Sequence, residues 1–201
     1  MGGNERLKQV APQDSPYQSP WSFSTKVMRV VFNAVWMVSC RFTPNPLNRW
    51  RLLVLRLFGA EITGRPYVAP SARIWTPWNV TLEDRCAIGP GAELYALGRI
   101  ILRERSTVSQ YCYLCTGSHD VTRREMPLTV GTVEIGVDAM LFAQVFVSPG
   151  ITIGDGAVIG ARSVVTKDMP EWTICAGNPC RPIRPRKFEG RPEAGETDTQ
   201  D

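Results

Sequence analysis

The chain of 201 residues holds one histidine, His119, in the run Thr116-Gly117-Ser118-His119-Asp120. An imidazole ordinarily titrates near ~6.5, so it can take a proton from a hydroxyl at neutral pH. Just before it stands Cys112-Tyr113-Leu114-Cys115, formally a C-x-x-C pair. The chain has no second such pair, and one histidine does not complete a tetrahedral site, so no metal is expected. The six cysteines, at 40, 86, 112, 115, 175 and 180, read as free thiols in a reducing compartment.

What positions His119 is a ladder of branched aliphatics six residues apart. Ile62, Val68, Ile74, then Leu82, Ile88, Leu94, then Leu102, Val108 and Leu114 form its first part. Ile135, Leu141, Val147, Ile153, Ile159 and Val165 form the second. Period six is neither a helix period nor simple strand alternation. It marks a parallel β-solenoid in which three hexapeptides make one triangular coil. Small residues recur at the fifth position of a hexapeptide, as Ala72, Cys86, Ala92, Cys112, Ala139 and Ala157. Gly89, Gly136, Gly154 and Gly160 follow ladder positions, where glycine would suit a bend. Coil starts at 62, 82 and 102 are 20 residues apart, and 135 to 153 is 18. From 102 to 135 is 33, one coil plus about 13 residues. The surplus begins near His119, so the sole imidazole rides on a loop at 117–132 thrown out of a rigid prism.

Other segments frame the prism. Residues 1–20 are polar and Pro-bearing and read as a flexible lead. A helical cap over 21–60 should hold helices at Ser24–Arg41, capped by Ser24 or Thr25, and at Leu47–Phe58, ending at Gly59. These would cover the open edge of the first coil. They could also touch a membrane surface through Trp36, Trp50 and nearby arginines, making residues 24–58 a peripheral membrane contact. The uncharged run from Val30 to Cys40 is about half the ~20 residues a spanning helix needs. The β-helix should occupy 61–170 and a basic Pro-rich cap 171–187. An acidic tail over 188–201 reads as disordered. The net charge of +4 is modest. No basic block interleaved with aromatics points to nucleic acid.

The chain resembles the hexapeptide-repeat acyltransferases. The blocks that carry the likeness are Leu114 to Asp120, Val147 to Gly154, Val158 to Ser163, Val165 to Asp168 and Ala176-Gly177-Asn178-Pro179. The colanic-acid biosynthesis acetyltransferases are most similar. They share Arg49-Trp50-Arg51, Leu55 to Ala60, Pro77-Trp78 and Tyr113 to Asp120. The resemblance implies an all-β solenoid, a left-handed parallel β-helix with short N-terminal helices and a C-terminal cap, assembled as a homotrimer. It implies acetyl-CoA as co-substrate, a saccharide or lipid-linked saccharide acceptor in exopolysaccharide assembly, and a cytoplasmic location, membrane-peripheral if the helices dock. His119 then falls on the family's general base. Ala143 and Ala161 would flank the pantetheine arm, and Thr166, Lys167, Arg181 and Arg184 would meet the nucleotide end.

Departures from the family bear on the acceptor. Met140 stands where relatives often have Trp. Glu93, near Tyr95, replaces a sugar-contacting Asn, and a carboxylate there could bond a sugar hydroxyl or orient His119. With Asp120, these are the expected acceptor-side residues. Other readings compete. Cys115 could be a nucleophile forming an acyl-enzyme. A β-helical carbonic anhydrase would need three zinc-binding histidines, and a chain with one histidine does not supply them. The prism could also be a non-catalytic trimeric scaffold.

Overall fold

An aliphatic every six residues stays on one side of the chain only if the backbone turns a corner after each hexapeptide. In the computed structural model, which describes residues 6–11 and 19–187, it does so, and three parallel sheets enclose one core. Face one stacks Glu61–Ile62, Val80–Leu82, Ile100–Leu102, Val133–Ile135 and Thr152–Ile153. Face two stacks Tyr67–Val68, Ala87–Ile88, Thr107–Val108, Met140–Leu141 and Val158–Ile159. Face three stacks Arg73–Ile74, Glu93–Tyr95, Tyr113–Cys115, Phe146–Val147 and Val164–Val165.

Ladder residues stack on their counterparts one coil away. On face one Leu102 pairs with Ile135 across the 33-residue step, and Ile135 with Ile153. Every ladder residue is buried except Ile62, which is half-buried at the first coil. Each full burial contributes about 1.5–3 kcal/mol before the cost of ordering. The small fifth-position residues are buried too, because their side chains point into the narrowing angle of the prism.

The bends themselves lie elsewhere than the sequence suggests. Gly89, Gly136, Gly154 and Gly160 do not have positive φ; the left-handed corners fall on other residues, among them Arg105, Tyr111, Gln144 and Arg162. The four glycines serve close approach instead. A Cβ on Gly136 would come within 2.7 Å of the Asp155 backbone nitrogen, and one on Gly154 within 2.5 Å of that of Glu171.

Charges reinforce the stacking. Arg103 bonds Glu83 on the coil before it and Glu134 on the coil after, each at 2.7 Å. Such half-exposed pairs are individually weak, but slippage by one coil would set glutamate against glutamate.

Both ends of the prism are covered. Helix α1 (Phe23–Ser39) and helix α2 (Asn48–Leu57) sit on the first coil. The cap of α1 is Ser22, whose hydroxyl accepts from the Thr25 N–H at 3.2 Å, so the helix opens earlier than the serine and threonine expected to cap it. Gly59, at φ 89°, ends α2 where expected. The backbone edge of the first coil is satisfied by cap side chains. Trp36 Nε1 donates to Ala72 O, Asn48 bonds Pro66 O and Val68 N–H, and Arg51 Nε donates to Val68 O. Arg51 is fully buried and its remaining nitrogens reach Thr43 Oγ1 and the carbonyls of Pro44 and Asn45. It pins the inter-helix link to the prism. At the other end Thr173–Gly177 extends face two, and Cys180–Pro185 folds back antiparallel to close it.

The lead differs from the expected flexible segment in its described part. Lys8–Gln9 is a strand, pairing antiparallel with Thr129 and Val130. Polar composition hid this, because the partner edge belongs to the excursion and not to the periodic column. The tail at 188–201 lies outside the described residues.

Candidate active site

The excursion leaves face three immediately after Cys115. Thr116 is buried and fixes its root: its hydroxyl donates to Tyr95 O at 2.6 Å and accepts from Gly98 N–H at 2.8 Å, while Thr116 O accepts from Gly131 N–H at 2.9 Å. Between those points Gly117–His119 pairs antiparallel with Leu128–Val130, His119 opposite Leu128. The imidazole thus stands on a hairpin, not a free loop. Lys8–Gln9 adds a third strand, and Val10 N–H donates to Leu128 O at 3.1 Å.

His119 is exposed, and its Nδ1 lies 2.7 Å from the carbonyl oxygen of Met126. A carbonyl can only accept, so Nδ1 carries the proton and Nε2 of the neutral ring keeps its lone pair. Met126 adopts φ 41°, unusual for a side chain of its size, and this turns its carbonyl toward the ring. Asp120 holds the hairpin tip: its carboxylate accepts from the N–H and hydroxyl of Thr122, which lowers its pKa. No sequence pattern marks a carbonyl, so Met126 was not legible beforehand.

Glu93 and Tyr95 belong to a column of rings outside face three. Trp75 packs edge-on against Tyr95 at 5.1 Å, Tyr95 tilts on Tyr113 at 6.0 Å, and Tyr113 stacks on Phe146 at 5.7 Å. Glu93 accepts from Trp75 Nε1 at 2.7 Å and from Arg73 at 3.4 Å. The carboxylate is therefore committed to the column, and the orienting partner of His119 is the Met126 carbonyl. The column could have been read from the sequence, since each ring flanks a ladder position of face three. It passes beside the root of the excursion, where a Cβ on Gly117 would lie 3.3 Å from the Tyr95 ring.

Cys115 is half-buried and its thiol donates to Gly117 O at 3.2 Å. Burial pushes its pKa up. A nucleophilic cysteine needs the opposite shift.

Of the expected donor residues, Ala143, Ala161 and Arg181 gather at the corner between faces two and three, whereas Thr166 and Lys167 lie at the opposite edge of face three. Ala143 and Ala161 occupy equivalent turns of successive coils, joined by Arg162 N–H to Ala143 O at 2.9 Å. The C-terminal hairpin abuts the same corner: Gly177 N–H donates to Ser163 Oγ at 3.1 Å, and Arg181 stands opposite Ala176. Arg184 lies further along that strand, opposite Ile174. Arg181, Arg184, Thr166 and Lys167 are all exposed, with Thr166 and Lys167 beyond Val165 at the far side of face three. Met140 is half-buried on face two between Thr107 and Val158. The Ala143–Ala161 corner and the root of the His119 hairpin lie at opposite edges of face three. Tyr111, on the corner, and Gly117, at the root, are separated by about 20 Å of extended chain.

No family model matches the chain. A curated relative, the "Putative colanic acid biosynthesis acetyltransferase WcaF" of Escherichia coli (strain K12), is 45% identical over 145 residues, covering 72% of this chain and 80% of that protein. A hexapeptide-repeat-containing acetyltransferase of Vibrio cholerae O1 biovar eltor, complexed with acetyl coenzyme A, superimposes with a TM-score of 0.75 at 18% identity over 86% of this chain and 94% of that one. A maltose O-acetyltransferase of Clostridium difficile 630 gives 0.71 at 24% identity, over 83% and 90%. The coils, the hairpin that interrupts them and the extent of the likeness agree: the chain belongs to the hexapeptide-repeat acetyltransferases, in the colanic acid biosynthesis group, and its fold is their left-handed parallel β-helix.

Proposed function

We propose that the chain moves an acetyl group from acetyl-CoA to a hydroxyl of a saccharide or lipid-linked saccharide in exopolysaccharide assembly, with His119 as general base. The observation that carries this is the Nδ1 contact with the Met126 carbonyl, which leaves Nε2 as a proton acceptor on a rigid hairpin. The acceptor hydroxyl gives its proton to Nε2 as its oxygen attacks the thioester carbonyl. The tetrahedral intermediate then collapses, the C–S bond breaks, and the proton passes to the leaving sulfur. Two features support a sugar acceptor: the ring column with Glu93 beside the hairpin, and relatives named for maltose and colanic acid. Acetyl-CoA and sugar precursors are cytoplasmic, and the reaction is assigned there.

Donor corner and base lie at opposite edges of one face, which supports a homotrimer whose sites form between subunits. The hairpin of one copy would face the Ala143–Ala161 corner of the next, with Lys167, Thr166, Arg181 and Arg184 toward the phosphates.

Acetyl-CoA consumption across a panel of sugars and lipid-linked saccharides, with mass spectrometry of the products, tests the reading. An acetyl ester on at least one saccharide is expected. Acetyl-CoA binding with no ester on any acceptor would refute the saccharide assignment, and no binding at all would favour the scaffold.

The hairpin's outer strand adds a prediction. Removing residues 1–11 strips Lys8–Gln9 from Thr129–Val130 and should lower turnover about tenfold or more through a misplaced His119. The KM for acetyl-CoA should change much less, because the Ala143–Ala161 corner is untouched and the donor side loses only the exposed Arg6–Asp168 pair beside Lys167. Steady-state kinetics separates the two, and a change confined to that KM would count against the role given to the strand.

A further inference from the structure

Helix α1 is apolar on both sides. Its inward face buries Phe32, Trp36 and Cys40 against the first coil. At ~100° per residue, Phe23, Val27, Val30, Val31, Met37 and Val38 form a stripe on the opposite face. That stripe is open: Phe23 is 83% exposed, Val30 68% and Val38 85%. On α2, Leu53 and Leu57 are also exposed, on the helix face that carries Arg49 and Arg56 at its side. Contiguous apolar surface of this kind marks an interaction site. No helix here is long and apolar enough to cross a membrane, and α1, with 17 residues, is about 25 Å long.

Charge identifies the partner. Residues 21–60 contain six Lys or Arg (Lys26, Arg29, Arg41, Arg49, Arg51, Arg56) and no Asp or Glu. The chain's net +4 is therefore −2 outside this segment. A second copy of the cap would set cation against cation, whereas an anionic lipid surface accepts both the stripe and the charges. A cavity of about 390 Å³ opens at the stripe's edge, lined by Asn33, Met37, Arg41, Arg73 and Trp75 among others. Arg41 Nη1 is buried there with no hydrogen-bond partner, and the Arg29 guanidinium lies 5.2 Å over the Trp75 ring. The facing carboxylate, Glu93, is held by Trp75 and Arg73. Arg41 as a whole is half-buried; a buried guanidinium nitrogen without an acceptor is costly, and a headgroup phosphate entering the cavity would supply one.

We propose that the helical cap lies in the interfacial plane of an anionic bilayer, with the α1 stripe at the headgroup–acyl boundary and a lipid phosphate against Arg41. Trp36 is packed inside, so of the two tryptophans expected from sequence only Trp50, whose ring is exposed with Nε1 bonded to Ser39 O, can join the aliphatics and Phe23 at the contact. The strand that launches the His119 hairpin is two steps, about 10 Å, beyond the Arg73–Ile74 strand that lines the cavity. Docking would hold the hairpin close to the membrane surface.

Flotation of the full chain with phosphatidylcholine vesicles, and with phosphatidylcholine–phosphatidylglycerol vesicles, tests this. Binding to the mixed vesicles, weakened by salt, is expected. Val30→Asp with Val38→Asp should reduce it about tenfold or more. Arg49→Gln and Arg56→Gln should each reduce it about fivefold, and Arg41→Gln should narrow the preference for the anionic lipid. Circular dichroism confirms folding, and transfer to a soluble acceptor should not change, so the result stands apart from the catalytic reading. Failure of the wild type to float with mixed vesicles would overturn the proposal. So would wild-type binding by the Val30→Asp/Val38→Asp variant. Dissociation of an oligomer by that variant in sedimentation velocity would instead assign the stripe to a second copy and overturn it likewise.

Discussion

His119→Ala should lower the turnover of acetyl transfer by about 10²–10⁴-fold, the usual contribution of one positioned base and about 3–5 kcal/mol of barrier. Acetyl-CoA binding, read by calorimetry, should be unchanged, because the ring stands on the hairpin and not at the Ala143–Ala161 corner. The prediction rests on Nε2. With Nδ1 committed to the Met126 carbonyl, one nitrogen remains that can accept a proton, and alanine removes it while the backbone pairing with Leu128 persists. Cys115→Ala is the paired control. Its thiol is held protonated by burial, so this variant should turn over like the wild type, with no acyl-enzyme mass in either. Equal turnover by His119→Ala and the wild type would remove His119 from the mechanism. An acyl adduct lost on Cys115→Ala would transfer the chemistry to the thiol.

The column was legible because one physical rule generates it. A branched aliphatic at each sixth position can be buried only in a triangular coil, so Leu102 pairing with Ile135 followed from counting. The excursion was legible for the same reason, as the place where counting fails. What fixes the imidazole was not, because Met126 acts through a carbonyl and an unusual φ, and Lys8–Gln9 through strand backbone. None of these needs a particular side chain. The corner glycines show the opposite error. Their residue type suggested bends, but corners here tolerate Arg105, Tyr111 and Gln144 at positive φ, while Gly136 and Gly154 are small because the next coil's backbone lies against them. Trp36 illustrates a third limit. Helical periodicity places a tryptophan on a face but cannot say which of two apolar faces meets the prism, and the buried one carries Trp36.

The separation of base and donor corner leads to the second large effect. Ala161→Trp puts an indole on the exposed turn beside Ala143 and should obstruct the pantetheine groove, leaving little activity; His119→Ala should do the same at the other edge of face three. If each site joins the hairpin of one copy to the corner of its neighbour, the two inactive chains complement each other. Random mixing by co-expression gives about a quarter of sites both intact halves, since each half is wild type in half of the subunits. Activity should therefore rise from background to about one quarter of wild type, a gain of 25-fold or more if each parent is reduced at least 10²-fold. If instead one chain supplied both halves, every site in the mixture would carry one lesion and no activity would return. Mass spectrometry of the purified assembly shows whether mixed oligomers formed, so silence from a verified mixture would refute the shared site. An active Ala161→Trp parent would move the donor groove away from that corner. The argument needs no assumption about the acceptor, because both lesions act on fixed features of the β-helix: a corner repeated every coil, and a hairpin that occurs at one coil only among the described residues.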